Sequence, residues 1–397
     1  MHAAPGRRTV LASALLASAF AARARAQDEK LRLGVLTPLT GAGGFDGPRM
    51  LKAMQAVADE VNGAGGVLGR RIELVVEDDQ TNPDAAVRAA HKLIDVDRVP
   101  VIMGTWASAV TTAVAPLCWE SRTFLTTVSG ADSITLLPPQ GYLIRTQPNN
   151  KLQATRHGEF IAGLGMKQVF LMSVQAPFDE PTRVQLGATL AQHGSKLAGS
   201  LIYEGDKTSY RAEVDQALGA KPDLLYMNGY APDVGVVLRD LYQADYGGAR
   251  FTQSYALTDK SLQTLPKPVT EGCYTVQPSA DINSPAYGLA AKRLGIKDPD
   301  SYVAQATDWI SLVCLAIARA KTATGTAIRD TMRRVSQGDG KKVYSALEGL
   351  QALAAGQEIN YEGASGPCDF DDKGDILDCK FRFQQVAGGQ FKFLKIM

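Results

Sequence analysis

The 397-residue sequence predicts an α/β fold of two lobes, and three observations carry that expectation. From residue 31, short apolar runs alternate with stretches of helical periodicity, the pattern of a parallel sheet covered by crossover helices. The pattern breaks at Gln147-Pro148-Asn149-Asn150 and then restarts, so a second unit of the same kind follows the first. With 45% hydrophobic and 21% charged residues the composition is that of an ordinary globular chain, long enough for two or three domains.

The first unit opens with a strand over 31–36, a helix over 48–62 and a strand over 71–77. Asn82-Pro83-Asp84 then starts a helix to about 96, with asparagine as cap and proline in the first turn. A strand over 99–103, a helix over 109–120, a strand over 123–127 and a short apolar run at 142–145 complete it. Right-handed crossovers lay such strands side by side in one sheet. The second unit begins with a helix near 152 and carries strands at 168–174, 196–204, 223–227 and 250–254, separated by helical patterns. Residues 286–356 are again mostly helical and apolar, and the chain from 366 reads as a β hairpin. Two such lobes leave a cleft at the carboxyl ends of their strands, where small ligands bind.

Residues 1–26 read as an address. They hold Arg7 and Arg8, no acid, an apolar run over 10–22 and the small-x-small triplet Ala24-Arg25-Ala26, the pattern of a secretory signal peptide cleaved before Gln27. The apolar run is shorter than the roughly 20 residues that cross a bilayer. Beyond residue 30 no run of uninterrupted apolar residues is long enough to span. The whole chain has a net charge of +1, and loss of the four arginines of the leader leaves a slightly acidic protein. A nucleic-acid partner, which needs a clustered basic excess, is therefore not expected.

Export permits disulfides. The hairpin centred on Lys373-Gly374, read with a two-residue turn, places Cys368 opposite Cys379. Directly opposed strand residues lie about 4.5–5.5 Å apart at Cα, within disulfide range, so a bond between them is expected. Cys118, Cys273 and Cys314 sit in apolar runs and read as buried thiols.

Catalytic chemistry is not indicated. His91, His157 and His193 all fall in predicted helices, none at metal-ligand spacing, and no nucleophile elbow, zinc motif or phosphate loop occurs. No cofactor and no metal are expected. The glycine-rich turn 41–47 sits between a strand and a helix, but the third glycine of a dinucleotide fingerprint falls on Asp46. It reads as a turn that approaches a ligand, with Phe45 as its candidate contact. Gly104-Thr105-Trp106-Ala107-Ser108 joins a strand to the next helix, with Ser108 placed as the N-cap. Its hydroxyl and the free N–H groups of the first turn suit a carboxylate, with Trp106 and Ala107 beside it. The next strand ends in a second polar turn, where Ser129, Gly130 and Ala131 are candidates on the same sheet edge. Across the cleft Phe178, Tyr230 and Tyr255 each follow a strand, placed to cover an apolar ligand body.

Three ordered motifs carry a resemblance. They are Leu33-Gly34-Val35-Leu36-Thr37-Pro38-Leu39-Thr40-Gly41, then Asn62-Gly63-Ala64-Gly65-Gly66-Val67-Leu68-Gly69-Arg70-Arg71-Ile72-Glu73-Leu74, then Asp78-Asp79-Gln80-Thr81-Asn82-Pro83. Together they resemble the N-terminal pattern of the leucine/isoleucine/valine-binding proteins, the substrate-binding proteins of branched-chain amino acid ABC transporters. The resemblance implies a type I periplasmic binding fold, two Rossmann-like lobes joined by three hinge strands and closing over a small molecule. It implies 27–148 with 276–352 in one lobe and 149–275 with 353–397 in the other, with hinges near 145–150, 270–280 and 350–360. It further implies a non-enzymatic, monomeric periplasmic protein that hands its solute to an inner-membrane ABC permease. A periplasmic ligand sensor or regulator on the same fold is the alternative. By the same resemblance Ser108 binds the ligand carboxylate, and the turn 129–131 supplies carbonyl and hydroxyl contacts. Tyr255 departs from the pattern, because it falls where amino-acid-binding members place the acid that pairs with the α-ammonium. A buried ammonium without a counter-charge is costly. The expected ligand is thus a small carboxylate, either an amino acid or an aromatic or aliphatic acid lacking the amine.

Overall fold

The computed structural model describes residues 30–136, 141–279 and 282–397; the leader expected over 1–26 lies outside the described residues. Strands β1 (Leu31–Thr37), β2 (Ile72–Asp78), β3 (Val101–Gly104), β4 (Phe124–Thr127) and β5 (Leu143–Arg145) form one parallel sheet in the order β2-β1-β3-β4-β5. β3 and β4 are buried along their whole length, as strands covered by helices on both faces must be. The chain then leaves for a second sheet. Strands β6 (Gln168–Val174), β7 (Lys196–Tyr203), β8 (Leu224–Asn228), β9 (Ala249–Gln253) and β10 (Tyr274–Ser279) pair in parallel there.

After β10 the chain returns to the first lobe. Its spine is the helix Ser301–Ala320, buried without a break from Ser301 to Ile317. By length and composition this helix could cross a membrane, but 94% of its apolar window is buried, so its apolar surface is spent on the lobe core. Buried Asp308 on this helix fastens the next part of the chain. Its carboxylate accepts bonds from the Tyr361 hydroxyl (2.8 Å), the Ala364 and Ser365 amides (2.7 and 2.8 Å) and Ser365 Oγ (2.6 Å).

That fastening moves a boundary. Residues 353–376, assigned to the second lobe from sequence, pack with the first: β12 (Ile359–Tyr361) pairs with β11 (Lys341–Val343), and Tyr361, Cys368 and Phe370 join the first-lobe core. The Arg145 amide donates to Gly374 O at 2.7 Å, which ties the turn after Phe370 to the edge of β5. The third crossing therefore comes after residue 376 rather than near 350–360. Only then do β13 (Lys380–Ala387) and β14 (Gln390–Ile396) complete the second sheet, antiparallel, in the order β14-β13-β10-β9-β8-β6-β7.

The expected disulfide is absent, and the register explains it. Phe370 faces Ile376, with bonds from Asp371 N to Asp375 O and from Leu377 N to Asp369 O, both 2.9 Å. The loop therefore spans residues 372–374, three residues instead of two, with Gly374 at φ 89° where an L side chain is strained. A one-residue slip turns each side chain to the other face. Cys368 is buried in the first lobe, Cys379 packs with a second-lobe cluster, and all five cysteines are free thiols.

Candidate functional site

The end of β3 sets the geometry. Gly104 (φ 124°) and Thr105 (φ 60°) both take left-handed backbone, and a Cβ on Gly104 would meet Leu36 O at 2.2 Å. This sharp turn directs Trp106 toward the other lobe. The helix Ser108–Glu120 begins immediately afterwards, but the cap position is held by Ala107, with no side-chain cap, and Ser108 is the first helical residue. Its hydroxyl is therefore free of capping duty. It accepts a 3.1 Å bond from Ser129 Oγ, which leaves its own proton available to a ligand. The amides of the first turn have no intrahelical partner and carry the positive end of the helix dipole.

Behind Ser129 lies a buried charge that sequence reasoning passed over. Arg145, with no exposed side-chain surface, pairs with Asp375 at 2.5 Å. Its Nη1 donates to Ser129 O at 3.2 Å and Ala131 O at 2.7 Å. The Gly130 carbonyl accepts from the Asn150 amide at 2.8 Å. All three carbonyls of the 129–131 turn thus have protein donors. Arg145 ends the apolar run 142–145, and a cation in that position was the available signal.

A cavity of about 30 Å³ separates Ser108 from the second lobe. Ser108, Trp106, Gly130, Phe178, Tyr230 and Tyr255 line it, together with Gln147, Asn150, Gln153, Gln253 and Tyr302; no charged side chain does. Ala107, Ser129 and Ala131 stand behind this wall, and Phe45 lines the neighbouring part of the cleft. The rings form one cluster across the lobes. Trp106 lies 5.2 Å from Tyr230, 5.5 Å from Tyr255 and 6.3 Å from Tyr302, and Phe178 meets Tyr230 edge-on at 6.0 Å. Burial pushes the Tyr230, Tyr255 and Tyr302 hydroxyls well up, so all three stay neutral donors.

The sequence reading also missed Tyr302, Asn150 and the glutamines Gln147, Gln153 and Gln253. The cap of the spine helix holds Tyr302 in place, with Asp300 Oδ1 accepting from the Tyr302 and Val303 amides at 2.9 and 3.0 Å. Asp300-Ser301 ahead of an apolar run signalled that cap, though not where its tyrosine points. Asn150 is 6% exposed, and its Nδ2 has no hydrogen-bond partner among the described residues. It faces the cavity as an unused donor. The arrangement offers hydroxyl, amide and helix-terminal N–H donors at one end and aromatic faces at the other, and it holds no group of catalytic kind.

Comparison with known proteins agrees with this architecture. The family model described as periplasmic binding protein matches residues 30–390. The leucine-, isoleucine-, valine-, threonine- and alanine-binding protein of Pseudomonas aeruginosa is 24% identical over 94% of this chain and 93% of its own length. Among solved structures, the leucine binding protein LivK of Thermotoga maritima superposes with a TM-score of 0.79 at 20% identity, covering 92% of this chain and 98% of that one. A solute binding protein of an R. palustris ABC transporter, in complex with benzoate, gives 0.77 at 18% identity, covering 93% and 96%.

Proposed function

The chain belongs to the periplasmic binding protein family, and from that premise we propose that it captures a small carboxylate lacking an α-ammonium and delivers it to an inner-membrane ABC permease. The observation that carries this reading is the lining of the cavity beside Ser108, which supplies donors and aromatic faces but no acidic side chain. An α-ammonium enclosed there would have no counter-charge, and the main-chain carbonyls of the 129–131 turn already accept from Arg145 and Asn150. A carboxylate meets the opposite conditions at Ser108 and the helix terminus. The benzoate held by the R. palustris relative in fold is a ligand of that chemistry.

The mode of capture is hinge closure. A cavity of about 30 Å³ holds no more than a water molecule or two, so a solute enters when the lobes part. Parting separates Trp106 from Tyr230 and Tyr255, and the aromatic or aliphatic body of the ligand then packs among those rings on reclosure. The ligand acts by stabilising the closed arrangement. The leader expected over residues 1–26 is the export signal that this role requires.

A thermal-shift panel of benzoate, 4-hydroxybenzoate, leucine and isoleucine, followed by calorimetry, tests the reading. An acid without the amine is expected to raise the melting temperature by mass action, while leucine and isoleucine leave it unmoved. Tighter binding of leucine than of every amine-free acid would overturn it.

A further inference from the structure

Beyond Tyr255 and Tyr302 the cleft widens into a chamber of about 730 Å³ between the lobes, and these two rings line both spaces. The chamber contains two cations and both are engaged: Arg49 pairs with Asp300, and Arg382 with Asp298 at 3.0 Å. Of the four acids that line it, Asp298 and Asp300 are those partners, Asp259 stands exposed in the first turn of a helix, and Asp46 is buried. Asp46 is 5% exposed, its side chain makes no cap bond to the helix it precedes, and no hydrogen bond reaches its carboxylate among the described residues. The nearest cation, Arg49, stands 3.9 Å away. Desolvation, reinforced by the Asp300 charge, pushes its carboxyl up to about 8.

A buried carboxyl with no hydrogen bond and only a loose ion pair is costly, and one that faces a ligand chamber gains most from a ligand that brings the missing donor. The two ends of the cleft are thus of opposite character, with donors for an anion at Ser108 and an unmet acceptor at Asp46, and aromatic walls between. We propose that Asp46 is a specificity residue, and that the solute carries a hydrogen-bond donor, a hydroxyl or an amine, on the end of its ring remote from the carboxylate. This rests on the carboxylate reading above and adds the far end of the ligand to it.

Calorimetry on the mature protein tests it with matched pairs: benzoate against 4-hydroxybenzoate and 4-(aminomethyl)benzoate, and cinnamate against 4-hydroxycinnamate for a longer reach. In the wild type a donor-bearing member is expected to bind up to about tenfold more tightly than its parent, as one buried hydrogen bond to a neutral carboxyl would give. Asp46→Ala is expected to bring that ratio within about twofold. Asp46→Leu, which keeps the side-chain volume, gives the same readout should the truncation unfold the protein. A preference for the hydroxyl or for the ammonium names which donor the site takes. Equal affinity within every pair in the wild type overturns the proposal, as does a ratio that survives in both variants. If neither parent nor derivative binds, the carboxylate reading itself fails; if the parents bind and the ratios are unity, only the role of Asp46 does.

Discussion

Replacing Ser108 with alanine removes one hydroxyl from a position 5% exposed, at the start of a helix, against the turn that holds Ser129. Two costs follow and they are separable. A hydrogen bond from a buried hydroxyl to a carboxylate contributes about 1.5–3 kcal/mol, so benzoate affinity should fall roughly 10- to 150-fold. The first-turn amides remain, which is why binding should weaken and not vanish. On folding, Ala107 and not Ser108 holds the cap position, so no cap is lost. Ser129 Oγ loses its acceptor at a site 1% exposed, a penalty of about 1 kcal/mol. Calorimetry with benzoate measures the first cost, and the melting temperature of the unliganded protein the second. If Ser108→Ala binds benzoate within twofold of the wild type while its melting temperature falls, the serine is structural and the anchoring argument is wrong.

Other expectations follow from the same geometry. Tyr255→Glu supplies an acid to a cavity that has none, so it should weaken benzoate and bring leucine into the measurable range; calorimetry with both ligands would show an unaltered preference if the missing counter-charge were irrelevant. Asp375→Asn strands the fully buried Arg145 and should cost about 3–5 kcal/mol in denaturant unfolding, whereas a loss below about 1 kcal/mol would mean water reaches the guanidinium. Thiol titration in denaturant without reductant should count five free thiols, and a reducing agent should leave the melting temperature unchanged; a count of three would restore the Cys368–Cys379 bond. Burial in a cage with Tyr226, Phe251 and Phe381 pushes His157 down to about 3, against about 6.5 in the unfolded chain. The unfolded state therefore binds the extra proton between those values, and stability drains away as pH falls through that window. Asp46 and Asp79, pushed up to about 8 and about 7 by burial, act in the opposite sense, since the folded state takes up their protons first. The His157→Gln variant should thus lose less stability than the wild type between pH 6.5 and 4, and parallel curves would contradict a neutral buried imidazole.

Much of the architecture could be read from residue order alone because parallel strands bury both faces and leave continuous apolar runs, as at Val101–Gly104 and Phe124–Thr127. The glycine-flanked turn before Ser108 was legible for a related reason: a strand end followed by serine and a helix pattern is a local signature. Partners distant in sequence were not. Tyr302 reaches the cleft from a segment nearly two hundred residues after Ser108, and nothing near it in sequence records that approach. The segment 353–376 was misplaced because its ties to the first lobe, the bonds to Asp308 and the contacts with Arg145, join residues far apart in sequence and cannot be matched from spacing. The disulfide failed on a single residue of loop length, since period-two geometry converts that small error into a reversed face.

The interleaving of the two sheets has a consequence for how the protein is made. The first sheet lacks its covering spine until residue 320 has been synthesised, and the second lacks β13 and β14 until residues 380–396 are added. No stretch that stops short of β13 contains a complete set of neighbours for the second sheet, so a nascent chain stays short of its native packing until β13 and β14 have emerged. The edge of β10 stays open until then, and the closing move of assembly belongs to the hairpin of β13 and β14.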